Sequence, residues 1–217
     1  MVENKKIVID EEYQNQRYLY RFFKRILDIV ASGIGLIILS PIFLIISAVI
    51  KAEDRGPIFY SQIRLGKGLQ PFKMYKFRSM VVDADKKLEE LLEKNEVEGA
   101  MFKMKDDPRI TNIGKYIRKH SLDELPQLWN VLVGDMSLVG PRPPLEREVA
   151  EYTDYDRQRL TVKPGCTGLW QVSGRNDVDF NGMVELDLNY IEHSGIFFDI
   201  SILLRTITIM FKPNGAY

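Results

Sequence analysis

Ser121-Leu-Asp-Glu-Leu-Pro-Gln-Leu-Trp-Asn-Val-Leu-Val-Gly-Asp-Met-Ser-Leu-Val-Gly-Pro-Arg-Pro143 is the stretch on which the reading of this chain turns. Two adjacent acids, Asp123 and Glu124, stand at a predicted helix start. Pro126 supports that placement, since a residue without an N–H is tolerated in a first turn. Leu125, Leu128, Trp129 and Leu132 recur at helical spacing, and Gly134 is a natural stop. Asp135 to Pro143 then leaves as a turn-rich segment ending in Pro141-Arg142-Pro143. Taken alone, the acidic pair has a structural reading. Ser121 with Glu124 three residues on has the form of a capping box, and acids in a first turn complement the macrodipole. What the pair does beyond that depends on the motifs around it.

The chain has 217 residues, enough for one domain with a real core plus an additional element. Thirty basic and thirty acidic residues cancel, but they are unevenly placed. Gly56 to Val82 contains no acid, while Arg64, Lys67, Lys73, Lys76 and Arg78 are basic. Asp83 to Glu98 then carries seven acids against three lysines. A cationic segment inside a neutral chain points to a particular anionic ligand, or to a solvated basic face, more than to nucleic acid. The single cysteine, Cys166, excludes an internal disulfide, fits a cytoplasmic setting and reads as a small packed residue. With His120 and His193 as the only histidines it makes a poor zinc set. No Walker A sequence, dinucleotide-binding glycine motif or nucleophile elbow is present.

Residues 1–16 are polar and read as a loose arm. Tyr13 to Arg25 mixes aromatics with Arg17, Arg21, Lys24 and Arg25, as an interfacial helix does. Ile26 to Ile50 is a 25-residue apolar run with one charge, Asp28. Length and hydropathy alone suggest a membrane span. Ser40-Pro41 interrupts it, leaving about 22 Å of helix before the break and about 15 Å after it, each short of the roughly 30 Å hydrocarbon core. Both flanks are basic, and the positive-inside rule asks for both in the cytoplasm. A helix that enters, kinks and returns satisfies these constraints, with Ser40 bonding a carbonyl freed by the proline. A kinked span and a buried core helix remain alternatives on these grounds.

Alternation around Ile58–Tyr60 and Phe72–Met80 predicts two short strands about a Gly66/Gly68 turn, with Lys76 and Arg78 on one face. Asp83–Glu98 predicts a charged helix, Asp106–Arg109 a turn, Ile113–Lys119 a short basic helix, and Glu146–Arg159 one polar helix. Lys163 to Asn176 is glycine-rich, with Trp170, Gln171, Arg175 and Asn176 able to face a ligand. Met183–His193 is helical, and Phe197–Lys212 carries a broad apolar stripe suited to a core or to a membrane surface.

As an ordered set these motifs resemble the bacterial sugar transferases, the monotopic phosphoglycosyl transferases. The matching residues are Lys24-Arg25…Asp28…Ser40-Pro41, Lys73-Met-Tyr-Lys76-Phe-Arg78-Ser-Met80, and Arg118…Leu122-Asp-Glu-Leu-Pro-Gln-Leu-Trp-Asn-Val-Leu132. Gly134 to Pro143 and Lys163-Pro-Gly…Thr167-Gly-Leu-Trp-Gln-Val-Ser-Gly-Arg-Asn176 complete the set. The resemblance runs from about residue 20 to the final Gly215-Ala-Tyr217.

It implies an α+β fold: a mostly helical cytoplasmic domain with short strands, anchored by an N-terminal re-entrant hairpin broken at Ser40-Pro41. The expected divisions are an arm over 1–16, the membrane segment over 17–52 and a catalytic domain over 53–217. The implied activity moves hexose-1-phosphate from a UDP-sugar to undecaprenyl phosphate at the cytoplasmic face of the bacterial membrane, priming a surface polysaccharide. Asp123 is implied as nucleophile, Glu124 as its partner, and Mg²⁺ beside them on Asp123. Lys76, Arg78, Arg118, Arg142, Arg175 and Asp187 are expected on the substrate side, and Asp28 is expected to pair with Lys24-Arg25. The form of the Gly168–Asp177 segment and the Gly-Ala-Tyr end look most like galactose or glucose transferases, with N-acetylhexosamine donors as the alternative. The chain resembles the minimal catalytic form, without the additional N-terminal helices of larger members. A homodimer is left open, and a silent recruitment module is the reading of a different class.

Overall fold

The computed structural model describes residues 7–84, 86–87, 104, 106–174 and 178–211. Helix α1 (Glu11–Gln16) is capped by the Asp10 carboxylate, which accepts from the Tyr13 N–H. Residues 11–16 are therefore not the loose arm expected from composition. Gln14 is buried and donates to the Ile191 carbonyl at 3.1 Å, and Ile7 and Ile9 pack on the main core.

Helix α2 (Tyr18–Ile38) and helix α3 (Ser40–Asp54) meet at Leu39 with a bend of 58°. The break lies where the sequence placed it. Pro41 opens α3, and Ser40 Oγ donates to the Ile37 carbonyl at 2.8 Å, taking up a carbonyl at the end of α2. Among the described residues no single helix is long and apolar enough to cross a membrane; the bent pair meets that test only jointly.

Strands β1 (Phe59–Leu65) and β2 (Pro71–Phe77) form an antiparallel hairpin through Gly66–Gln70, with Tyr60 opposite Lys76. Helix α4 (Asn112–Lys119) is capped by Thr111, whose hydroxyl accepts from the Gly114 N–H. Residues 85 and 88–103 lie outside the described set, and with them most of the helix predicted over Asp83–Glu98.

The expected capping box at Ser121 is not present. Ser121 is left-handed, with φ 54°, and its side chain caps nothing. Leu122–Glu124 is instead a 3₁₀ turn closed by i→i+3 bonds, Glu124 N–H to the Ser121 carbonyl and Leu125 N–H to the Leu122 carbonyl. Helix α5 (Gln127–Val133) begins only after Pro126. The two acids thus sit on a tight turn ahead of the helix. Gly134 ends α5 at φ 101°, a backbone that favours glycine.

Strand β3 (Ser137–Val139) pairs in parallel with β4 (Gly165–Thr167). The crossover holds α6 (Glu146–Ala150), α7 (Asp154–Arg157) and a 3₁₀ turn at Gln158–Thr161. The single polar helix expected over Glu146–Arg159 is broken because Thr153 and Asp156 form a capping box that starts a new helix. The glycine-rich segment predicted as loop contains β4 and α8 (Leu169–Ser173). Gly165 is required there: a Cβ would lie 2.1 Å from the Gly140 nitrogen. Helices α9 (Phe180–His193) and α10 (Ile196–Phe211) complete an α+β fold that is mostly helical.

The main core gathers Val131, Met136, Val139, Leu188, Ile191 and Ile202 where α5, β3, α9 and α10 meet. A second cluster, Ile46, Ile50, Phe77 and Ile117, joins α3 to β2 and α4. Asn130, wholly buried in α5, ties that helix to β2. Its Oδ1 accepts from the Tyr75 N–H at 3.0 Å, and its Nδ2 donates to the Lys73 carbonyl at 2.6 Å. Asn130→Ala leaves both β2 groups unpaired in the interior and is expected to cost about 2–3 kcal/mol. A thermal melt of the purified protein checks this, with a drop in Tm of roughly 4–10 °C.

Candidate active site

Asn130 fixes β2 beside the 3₁₀ turn, and this brings Lys76 to the acidic pair. Lys76 Nζ donates to Glu124 Oε1 at 2.6 Å and lies 3.9 Å from Asp123 Oδ2. Asp123 is 7% exposed, whereas 43% of the Glu124 side chain is accessible. The turn therefore gives neighbouring carboxylates different environments. Burial pushes the Asp123 carboxyl up to about 6; Lys76 and Arg118 oppose that rise and Glu124 adds to it.

Both acids face a cavity of about 240 Å³ that Arg64, Lys76, Arg118 and Arg142 also line. Four cations around two carboxylates leave a positive excess suited to a polyanionic ligand. Cys166, Trp170 and Gln171 form another part of the wall. Burial holds the Cys166 thiol protonated, in keeping with a packing role.

Arg142 is held from behind. Glu148, 2% exposed, accepts from Arg142 Nη1 at 3.2 Å and from the Leu145 N–H at 2.9 Å. Burial would raise the Glu148 carboxyl, but Arg142, Leu145 and Arg64 outweigh it and hold it low. Arg64 Nη1 donates to the Pro143 carbonyl at 3.1 Å, and burial together with the nearby Arg142 charge brings its guanidinium down to about 10. Asp187 does not reach the cavity wall. It pairs at 2.6 Å with the buried Arg159, which also donates to the Tyr152 hydroxyl and, at 3.4 Å, to the Arg142 carbonyl. Asp187 thus stands behind the Pro141–Pro143 segment.

Other predicted groups lie elsewhere. Arg78 follows the last residue of β2, so strand parity no longer orients it; it turns away from the cavity to an ion pair with Asp54 beside the end of α3. Arg175 falls outside the described residues. Asp28 does not form the expected pair with Lys24-Arg25, although the Lys24 charge still acts on it. It accepts from Ser137 Oγ at 3.0 Å and from the Leu138 N–H at 2.8 Å. Lys24 pairs instead with the buried Asp199 at 2.9 Å, and Arg25 donates to the Val131 and Leu132 carbonyls at the end of α5. A buried carboxylate gains more from two fixed donors, and the open carbonyls of a helix end draw the guanidinium.

Sequence reasoning gave no role to Asn130, Glu148, Arg159 or Asp199, and counted Arg64 only among the basic residues of the acid-free run. Asn130 did leave a signal, a polar residue amid the apolar positions of α5. Asp199 meets Lys24 across 175 residues and Arg159 meets Asp187 across 28, whereas Glu148, in a segment read as one continuous polar helix, reaches Arg142 only six residues away.

Among the described residues no group of three His, Cys, Asp or Glu side chains could hold a metal. Asp123 and Glu124 supply two carboxylates at the cavity, and Mg²⁺ sites in general use one or two carboxylates completed by water and substrate phosphates.

Comparison with known proteins places this chain in a family. The family model described as bacterial sugar transferase matches residues 19–213. A galactosyl transferase of Streptococcus agalactiae is 47% identical over 210 residues, covering 96% of this chain and 46% of the relative. The undecaprenyl-phosphate galactose phosphotransferase of Salmonella typhimurium is 48% identical over 201 residues, 91% of this chain and 42% of the relative. The chain therefore spans less than half the length of these two relatives. An exopolysaccharide production protein of Rhizobium meliloti is 41% identical over 213 residues, 96% of this chain and 94% of the relative. The chain belongs to the bacterial sugar transferase family.

Proposed function

We propose that this chain is a phosphoglycosyl transferase that moves hexose-1-phosphate from a UDP-hexose, galactose or glucose, to undecaprenyl phosphate through an intermediate on Asp123. The observation that carries the reading is a buried carboxylate, Asp123, facing a cavity lined by Arg64, Lys76, Arg118 and Arg142. The Salmonella typhimurium relative's name supplies the donor sugar and the lipid acceptor.

In the first step an Asp123 oxygen attacks the sugar-bearing phosphorus of the donor. The bond from that phosphorus to the bridging oxygen breaks, and UMP leaves with the bridging oxygen. In the second step an oxygen of undecaprenyl phosphate attacks the same phosphorus. The bond to Asp123 breaks, the carboxylate is restored, and the lipid carries a diphosphate-linked sugar. Carboxylate and phosphate repel each other, so the four cations are needed to lower that barrier. Glu124, the more exposed acid, keeps the acceptor phosphate deprotonated. Mg²⁺, held by Asp123 with the donor phosphates, would supply charge neutralisation when bound.

The bent α2–α3 pair is read as a re-entrant hairpin on the cytoplasmic face of the membrane. Its exposed Ile37, Ile38, Leu44 and Ile45 support that placement, as does the cationic residue pattern on both flanks. A soluble donor and a lipid acceptor must meet at one carboxylate, which places the cavity near the headgroup plane.

The reading is tested by UMP release from UDP-galactose and UDP-glucose with Mg²⁺ and undecaprenyl phosphate. Asp123→Asn is expected to lose roughly a thousandfold or more in kcat/KM; retention of release contradicts the nucleophile assignment. Lys76→Met is expected to lower kcat about a hundredfold. The wild-type pH profile supplies a further check. Protonated Asp123 cannot attack, and burial raises its carboxyl, so kcat/KM for the donor is expected to fall on the acid side, about tenfold per pH unit beyond the limb.

A further inference from the structure

A second cavity, of about 500 Å³, lies between the N-terminal half of α2 and the body of the protein and shares no lining residue with the dyad cavity. Arg21 and Arg25 from α2, Lys67 from the β1–β2 turn and Lys163 line it. Among the described residues none of these four cations forms an ion pair. Their hydrogen-bond partners are neutral. Lys67 Nζ donates to Asn15 Oδ1 at 2.6 Å, Lys163 Nζ to the Gly134 carbonyl at 2.6 Å, and Arg21 to the Asn15 carbonyl at 2.9 Å. Arg25 spends its donors on the end of α5. Lys24 also lines the cavity, but Asp199 neutralises it.

The acid lining this cavity, Asp28, is engaged by Ser137 and Leu138. Burial lowers the proton affinity of Lys67 and Lys163, and neighbouring cations lower it further, Arg21 on both, Lys163 on Lys67 and Arg25 on Lys163; Glu11 opposes the shift at Lys67, and Asp28 and Asp135 oppose it at Lys163, without reversing it. Gathered and partly desolvated positive charge with no carboxylate in direct contact is suited to an anion. The exposed aromatic lining of the cavity indicates its kind. Tyr18 and Phe22 line it, and with Leu19 and Phe23 they are more than half exposed on α2. An anion here would carry apolar chains running along that face.

We propose that this cavity binds the phosphate headgroup of an anionic membrane phospholipid, which fixes the entry of α2 at the bilayer surface. The proposal rests on the membrane placement given under Proposed function. Its ligand is a bystander lipid, distinct from the acceptor. Basic pockets beside membrane helices on the cytoplasmic side recognise anionic headgroups in this way.

The test compares the wild type with an Arg21→Gln/Lys67→Gln double variant, neither residue belonging to the catalytic machinery. Native mass spectrometry in detergent titrates each with phosphatidylglycerol or phosphatidylcholine. The wild type is expected to retain one phosphatidylglycerol per chain, at least roughly tenfold tighter than phosphatidylcholine, and the variant to lose that preference. UMP release in phosphatidylcholine nanodiscs is expected to be the same for both. Equal binding of phosphatidylglycerol by both proteins overturns the proposal. So does one-for-one displacement of that lipid by undecaprenyl phosphate together with a raised acceptor KM in the variant, which would make the cavity the acceptor's. Flotation with phosphatidylcholine vesicles separates the two levels. Failure of the wild type to float contradicts the membrane placement itself, and the lipid site falls with it. Flotation of both proteins without a phosphatidylglycerol preference overturns the lipid site alone.

Discussion

Helix α5 is held by polar contacts to β2 and to Arg25, and the strand after it by a buried carboxylate of α2; the site depends on these holds. Asn130 ties the helix to the backbone of β2, Arg25 closes its carbonyl end, and the strand that follows gives Ser137 and Leu138 as donors to Asp28 of α2. Each contact is made to a group that would be left unsatisfied in the interior without it. The acidic turn precedes α5 directly, so its position is inherited from these bonds. The N-terminal helix and the carboxylates are thereby one mechanical unit. For an enzyme proposed to use a lipid substrate, this sets the depth of the reacting group relative to the hairpin.

The electrostatics follow from the same geometry. Asp123 is buried and Glu124 is not, so the two acids cannot be interchangeable. Lys76 bonds the exposed acid and stands near the buried one. Behind the Pro141–Pro143 segment, Glu148 and the Asp187–Arg159 pair restrain Arg142 from the side away from the cavity. Positive charge is thus held by a scaffold of buried acids that do not line the cavity. This arrangement costs desolvation but spares reorganisation when the ligand arrives.

Much of the fold was legible because its signals are local. The Ser40-Pro41 break, the Gly66/Gly68 turn and the Gly134 stop are each written into a few adjacent residues, and each is found where it was read. Local chemistry also misled. Ser121 and Glu124 have the spacing of a capping box, yet Ser121 is left-handed and the turn is 3₁₀. The sequence could not weigh two i→i+3 bonds and Pro126 against a cap. Arg78 looked equivalent to Lys76 only while the strand was assumed to continue past Phe77. Asp28 had two cations at helical reach, but the decisive donors lay 109 and 110 residues away. Polar partnerships over such separations leave no periodic trace.

The proposed reaction stands on Asp123 carrying the sugar phosphate between donor and acceptor. Peptide mass mapping of the protein mixed with UDP-galactose or UDP-glucose and Mg²⁺, without acceptor and quenched within one turnover, tests this most directly. The account predicts the added mass of one hexose phosphate on the peptide containing Asp123, removed when undecaprenyl phosphate is supplied before the quench. An unmodified Asp123 peptide under conditions that release UMP, or the added mass on another residue, would contradict it.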